Sequence, residues 1–432
     1  MNRRTHKRGH VVPIVAVLAT AILAVGLAAC GSDDGGGEAT AGGKEPITIG
    51  LATAKSGLFA LYDQGPNQAV KLRAEQINAD GGVNGRKIKI IEGNTQSDKA
   101  LATNVANELI SDGANVLVIT CDFDFSSPAA IAAAQAQVPA ISGCGADPKL
   151  ADVTTLGNFA YTAAAGTDVE GTVGAEWVVE ERGWDKAFVL QDESLEYTKS
   201  VGRYFSARFE DLGGEVVGQD SFQGGDNVNV KSQVTAMAPD ANGADFIYLP
   251  SWNPGAATAI RQIRSGGIDL PIVSDAAIDG PLVPQIAGNV SDVYLTSYGC
   301  FDFCAGGPDD SQYEWAEAMK EKYGEGPKLG STIAADTIVR VVAAAVEKSG
   351  TLDGPKLVET IDDMGPIETL VGQVTFASPT CHKPVGWPQH IQEIRNGQIR
   401  FLEKRTAQHI PDVGDGNGCA GEVSAAQSDG DA

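Results

Sequence analysis

The chain has 432 residues, 43% of them hydrophobic and 20% charged, which is length for two or three domains and too much apolar content for bulk disorder. Its formal net charge of −24 argues against a nucleic-acid partner, because phosphate binding needs clustered Lys and Arg to displace counterions. Seven cysteines, an odd number, leave one to be accounted for outside any set of internal pairs.

The first segment opens with the basic stretch "NRRTHKR", continues with an apolar run from Val11 to Leu27, and ends in small residues ahead of Cys30. That order of charge, apolar core and small-residue exit describes a signal peptide over residues 1–29. A retained membrane span is the alternative, since the run is near the lower length limit for one. Pro13 and the exit "LAAC" favour cleavage, and "LAAC" resembles a bacterial lipobox, which implies that Cys30 becomes the lipidated first residue of the mature protein. Such a protein sits outside the cytoplasm, anchored by lipid to the outer face of the cell membrane. One cysteine is then used in the anchor, and six remain in an oxidising compartment as an expected disulfide set. Residues 30–46, rich in Gly, Asp and Ala, read as a flexible tether.

From Ile47 the chain alternates short β-type runs with helical patterns. "ITIGLAT" reads as a strand, and Pro66 to Ala79 as a helix with Val70, Ala74 and Ile77 on one face. "KIKIIEGN" is a second strand, followed by a helix capped near Ser97 and carrying Leu101, Val105 and Leu109. "NVLVIT", an Ala-rich helix from Pro128 to Ala136, and "VPAIS" come next. The pattern restarts after about Ala163: a helix with Val169, Val173 and Trp177, the strand "KAFVLQD", a helix from Leu195 to Leu212, "GEVVGQDSF", a helix from Val230 to Met237, "DFIYLP", a helix from Gly255 to Arg264, and "LPIVSD". "VYLTSYG", helices at Gln312–Tyr323 and Thr332–Lys348, and strand-like "GQVTFA", "HIQEIRN" and "QIRFLEK" complete the body. Alternation of this kind predicts an α/β fold with parallel sheets flanked by helices, in two successive units. Residues 406–432 read as a mobile acidic tail, apart from whatever Cys419 fixes.

"ITIGLATAKSGLFALYDQG", "EQINADGGVNGRKIKI", "AAIAAAQAQVPAIS" and "AIRQIRSGGIDLPIV" together resemble the type I periplasmic binding fold, specifically the branched-chain amino acid (Leu/Ile/Val) receptor family of ABC transport systems. The resemblance covers roughly residues 47–405. It implies two Rossmann-like lobes joined by crossover strands, with lobe one at 47–163 plus 299–376 and lobe two at 164–298 plus 377–405. A small solute would be held between them. Ligands in open α/β sheets lie beyond the carboxyl ends of strands, which directs attention to the loops there.

Tyr62, in "KSGLFALYD", aligns with an aromatic that covers the ligand in that family; packing on its own lobe is the alternative. The loops after "NVLVIT" and "VPAIS" grip a ligand carboxylate in the family through hydroxyls and backbone N–H groups, which nominates Ser142, Gly145 and Ala146. Here the pattern departs: a hydroxyl expected in the first loop is Asp122 or Phe123, depending on gap placement, and a threonine expected in the second is Ala146. An acid or an aromatic there disfavours an anion. Tyr197 and Trp252 align with ligand-contacting aromatics, and Asp275 with the acid that meets the ligand's ammonium, although Asp275 also fits an N-cap. Cys121 and Cys144 end neighbouring strands on this reading and are expected to form a disulfide. A Cys300–Cys304 bridge across "CFDFC" and a Cys381–Cys419 bridge follow. Zinc held by His382, His390, Cys300 and Cys304 is the discarded alternative for those residues, since C-x3-C is no standard zinc spacing.

An enzyme needs a nucleophile and a base, and the inventory is thin. His382, His390 and His409 alone survive signal cleavage; G-x-S-x-G, H-E-x-x-H, the P-loop and a G-x-G-x-x-G after the first strand are all absent. The expectation is a monomeric, cofactor-free and metal-free solute receptor that closes on its ligand and docks on an ABC permease. A lipoprotein that senses a ligand and signals to a membrane receptor shares every sequence feature, and a carboxylate-dependent secreted hydrolase is the third reading.

Overall fold

The computed structural model describes residues 44–144, 147–237, 243–306, 310–376, 379–414 and 419. Residues 1–29, read above as a signal peptide, Cys30, most of the expected tether, and Gly145 and Ala146 lie outside the described residues. β1 (Ile47–Ala52) is buried along its whole length, as a strand must be when helices cover both faces of its sheet. It leads into α1 (Ala60–Ala79), β2 (Ile88–Glu92), α2 (Lys99–Ser111), β3 (Val116–Ile119), α3 (Phe123–Gln135), β4 (Ala140–Ser142), α4 (Val153–Leu156) and β5 (Ala160–Thr162). These strands form one parallel sheet in the order β2-β1-β3-β4-β5. Acidic caps set its helix starts: Asp98 accepts the N–H groups of Ala100 and Leu101, and Asp122 accepts that of Phe125. Each cap is worth about 1 kcal/mol.

The second unit runs α5 (Thr167–Glu180), β6 (Lys186–Asp192), α6 (Glu196–Asp211), β7 (Glu215–Phe222), α7 (Lys231–Ala236), β8 (Phe246–Tyr248), α8 (Gly255–Ser265), β9 (Ile272–Ser274), α9 (Leu282–Ala287) and β10 (Val293–Ser297). After β11 (Cys304–Ala305) come α10 (Asp310–Tyr323), α11 (Thr332–Ser349), α12 (Gly354–Asp363), β12 (Ile367–Thr369) and β13 (Gly372–Val374), followed by the hairpin β14 (Gln389–Arg395) and β15 (Gln398–Arg405). The second sheet has the order β11-β15-β14-β10-β9-β8-β6-β7, with β14 antiparallel to both its neighbours.

Helices α10 to α12 belong with the first sheet: Trp315, Ile333, Ile338 and Leu357 share a core with Ile47, Val70 and Val116. Between β1 and β15 the chain therefore passes from one lobe to the other after β5, after β11 and after β13. Among the described residues no helix is long and apolar enough to cross a membrane.

Two helices begin earlier than a proline at the first helical position predicts, for Pro66 and Pro128 lie inside α1 and α3. A proline lacks only its own N–H, and tertiary bonds near the helix start can hold the turn ahead of it. In α1 the buried Asp63 carboxylate accepts the N–H groups of Ala54 and Cys121, at 2.6 and 2.9 Å, which ties that turn to the ends of two strands. In α3 the Asp122 cap fixes the start. Three disulfides are present: Cys121–Cys144 between the ends of β3 and β4, Cys300–Cys304 ahead of β11, and Cys381–Cys419. Past β15 the chain returns over α5, where the N–H groups of Gln408 and His409 bond the buried Glu176 carboxylate and Ile410 is buried.

Candidate functional site

The carboxyl ends of the strands in both sheets face a common cleft, and the loops there line a cavity of about 400 Å³, part of it open to solvent. From the first lobe come Phe59 and Tyr62 at the head of α1, Asp122, the Cys121–Cys144 disulfide and Ser331. From the second come Glu170 of α5, Leu195 and Tyr197 at the head of α6, Trp252 after β8, Ala276 and Ala277 after β9, and Tyr298 after β10.

The cleft is closed. The Tyr62 hydroxyl accepts the N–H of Asn253 at 2.9 Å and donates to the Ala277 carbonyl at 2.9 Å, both on the opposite lobe. Phe59 stacks on Trp252 with ring centroids 5.5 Å apart and planes 12° from parallel. At the rim the Asp124 carboxylate accepts the N–H of Glu196 at 2.8 Å, and Lys149 pairs with Glu196 at 2.8 Å. The indole N–H of Trp252 donates to the Ser194 hydroxyl, which fixes the ring against the cavity.

The floor is acidic. The Tyr197 hydroxyl lies between Glu170, at 2.5 Å, and Asp275, at 3.2 Å; Glu170 also takes the Tyr298 hydroxyl and the N–H of Ala276. Asp275 accepts the N–H groups of Ser251 and Ala277 at 3.0 and 2.9 Å. Burial, which penalises the charged form, pushes Glu170 up to about 7 and holds Asp275 well above the usual carboxylate range, with the neighbouring Glu170 charge adding to the second. Asp122 is likewise raised by burial and by Asp124.

Of the residues singled out from sequence, Tyr62, Asp122, Tyr197 and Trp252 line the cavity together. Asp275 caps the short turn at 276–278 and bonds the Tyr197 hydroxyl from behind, and it is not itself among the lining residues. Ser142 is buried with its hydroxyl bonded to the Thr120 carbonyl, and it is not among the lining residues. Phe123 packs with the core beside α2 and α3, so Asp122 is the member of that pair at the cavity. Phe59, Glu170, Leu195 and Tyr298 were not singled out. Glu170 offered a weak signal, a carboxylate beside the apolar stripe of Val169 and Val173, whereas Tyr298 followed a strand end and was open to the same reasoning as Trp252.

The periplasmic binding protein family matches residues 46–395. The leucine-, isoleucine-, valine-, threonine- and alanine-binding protein of Pseudomonas aeruginosa is 24% identical over 77% of this chain and 86% of its own length. Among solved structures, the branched-chain amino acid transporter substrate-binding protein LivJ of Streptococcus pneumoniae, in complex with isoleucine, superposes with a TM-score of 0.72 at 23% identity, over 84% of this chain and 99% of that one. An ABC transporter solute-binding protein of Rhodopseudomonas palustris, in complex with 3,4-dihydroxybenzoic acid, gives 0.69 at 21% identity over 85% and 99%. With a family match across most of its length, a two-lobed α/β body shared with these solved structures and a cavity at the strand ends, the chain belongs to the periplasmic binding protein family.

Proposed function

We propose that this protein is an extracytoplasmic solute-binding lipoprotein of an ABC importer that captures a small amine-bearing solute between its lobes and delivers it unchanged to a permease. The observation that carries the reading is the cavity itself: aromatic walls from both lobes, a floor of hydrogen-bonded acids, and contacts such as Tyr62 to Asn253 that exist only when the lobes meet. The open form admits solute, and contacts from both lobes favour the closed form, so that binding and closure are one equilibrium. Tyr62, Asp122, Tyr197 and Trp252 are the proposed contacts, with Asp275 acting from behind Tyr197, and Cys30 is the proposed anchor. Relatives that carry branched-chain amino acids and an aromatic acid support a family whose ligands vary while the fold stays.

The test is a thermal-shift screen of amino acids, amines, amides and aromatic acids against the full-length protein in detergent. A true ligand raises the melting temperature by mass action and perturbs the fluorescence of Trp252. A ligand that binds a Trp252→Ala variant unchanged counts against the placement of that residue, and recovery of a chemically altered solute counts against a receptor.

A further inference from the structure

The acids of the cavity are divided between its two walls. On the first lobe Asp122, 2% exposed, is a lining residue of the cavity: its Oδ1 accepts the N–H of Phe125 at 3.2 Å, while its Oδ2 is buried with no hydrogen-bond partner. On the second lobe Glu170 lines the cavity and Asp275 lies behind it, the two joined through the Tyr197 hydroxyl. No Lys, Arg or His is among the lining residues. The cations nearby are engaged elsewhere: Lys99 with Asp124 at 3.2 Å, Lys149 with Glu196, and Lys383 with Asp168.

A carboxylate placed against Asp122 would bring two anions together out of water. An amino acid's single ammonium would answer the acids of one wall and leave those of the other uncompensated. A solute with an ammonium at each end answers both, and its methylene body lies against the rings of Phe59, Tyr62 and Trp252, whose faces also favour cations.

We infer that the cavity takes an aliphatic diamine, with one ammonium on Asp122 of the first lobe, the other on Glu170 of the second, which Asp275 backs through the Tyr197 hydroxyl, and no carboxylate on the solute. This deepens the receptor reading and rests on it. A dication that bridges acids on both lobes gains its second contact only on closure, which supplies the differential affinity that closure requires.

Isothermal titration of the full-length protein in detergent with putrescine, cadaverine, n-butylamine, 4-aminobutyrate and leucine tests it. Putrescine or cadaverine is expected to bind about 10- to 100-fold tighter than n-butylamine, the worth of one charged hydrogen bond in a buried site, with 4-aminobutyrate weaker still. Asp122→Asn keeps the helix cap, since Asn caps as well as Asp, and removes the charge. It is expected to bring diamine affinity down to that of n-butylamine while raising the melting temperature of the ligand-free protein. Equal affinity for diamine and monoamine, or diamine binding untouched by Asp122→Asn, overturns the inference. Leucine or 4-aminobutyrate binding tightest also overturns it, and leaves the receptor reading standing. Absence of heat from all five overturns it as well, and the wider thermal-shift screen then decides the receptor reading on its own.

Discussion

The Tyr62 hydroxyl is shared between an N–H and a carbonyl of the opposite lobe, so its removal acts on the closed form alone. Tyr62→Phe removes the shorter of the two bonds made by the buried Asn253 N–H, which keeps the Ala277 carbonyl at 3.3 Å, at a cost of about 1 kcal/mol. The expected outcome is weaker ligand binding and a larger radius of gyration at a given ligand concentration, with the ligand-free melting temperature little changed; equal scattering curves for variant and parent would remove Tyr62 from closure. Glu170 and Asp279, both pushed up to about 7 by burial, make a second statement at this scale. Glu170 faces the Tyr197 and Tyr298 hydroxyls, Asp168, Asp275 and Asp279, and Asp168 is itself paired with Lys383. An unfolded glutamate titrates near about 4.3, so the native state holds extra protons between that value and 7. Stability from these groups is complete below the unfolded value and is lost as pH rises through the folded one. Glu196, held down to about 2 by Lys149 and Arg203 against the cost of its burial, has already made its contribution by pH 5. Calorimetry of the ligand-free protein is expected to give a lower melting temperature at pH 7.5 than at pH 5, and a rise across that interval would contradict the burial assigned to these acids. Sequence made the aromatic members of the cleft legible because they follow strand ends. Glu170 stayed hidden because an acid on a helix is ordinarily solvated, and only the tertiary arrangement turns it inward.

At the scale of elements, helices α1 and α3 carry the local sequence and the tertiary fold in partial disagreement. Pro66 and Pro128 mark first helical positions by pattern, yet in α1 the turn ahead of the proline delivers the cavity residue Tyr62 and the buried Asp63, and in α3 it brings Phe125 against the ring of Phe59. Asp63 holds its turn through the backbone of Ala54 and Cys121, partners that no pattern within α1 reveals. The strands were the more legible elements, because four to six consecutive buried residues between turn signals leave little choice. The two-residue strand β11, which pairs with β15 of the second sheet, is too short to leave a pattern. The Cys121–Cys144 disulfide closes its loop across adjacent strands β3 and β4 with a sequence separation of 23. Replacing both cysteines by serine is expected to cost about 3 kcal/mol by loop entropy, and to loosen the cavity wall they form. Denaturant melts and ligand titration of that variant read the two effects separately. Unchanged affinity with lowered stability would confine the bridge to a role in folding.

Across the whole molecule, the duplication of α/β units is evident from the alternation of runs, whereas the weaving of the chain is implied by the family resemblance alone. Helices α10 to α12 return to the first lobe because Trp315, Ile333 and Leu357 fill a core that the first five strands leave incomplete, a completion that depends on shape rather than on periodicity. The terminal hairpin then rejoins the second sheet. One feature of this weave sets a limit on motion. His409 is bonded to Glu176 on one lobe, whereas Cys419 is locked covalently to Cys381, whose backbone bridges to Asp152 on the other. The chain from His409 to Cys419 reaches about 35 Å at full stretch. It is a leash of finite length fastened across the jaws, and so the widest gape the protein can adopt is bounded by the contour of this C-terminal stretch.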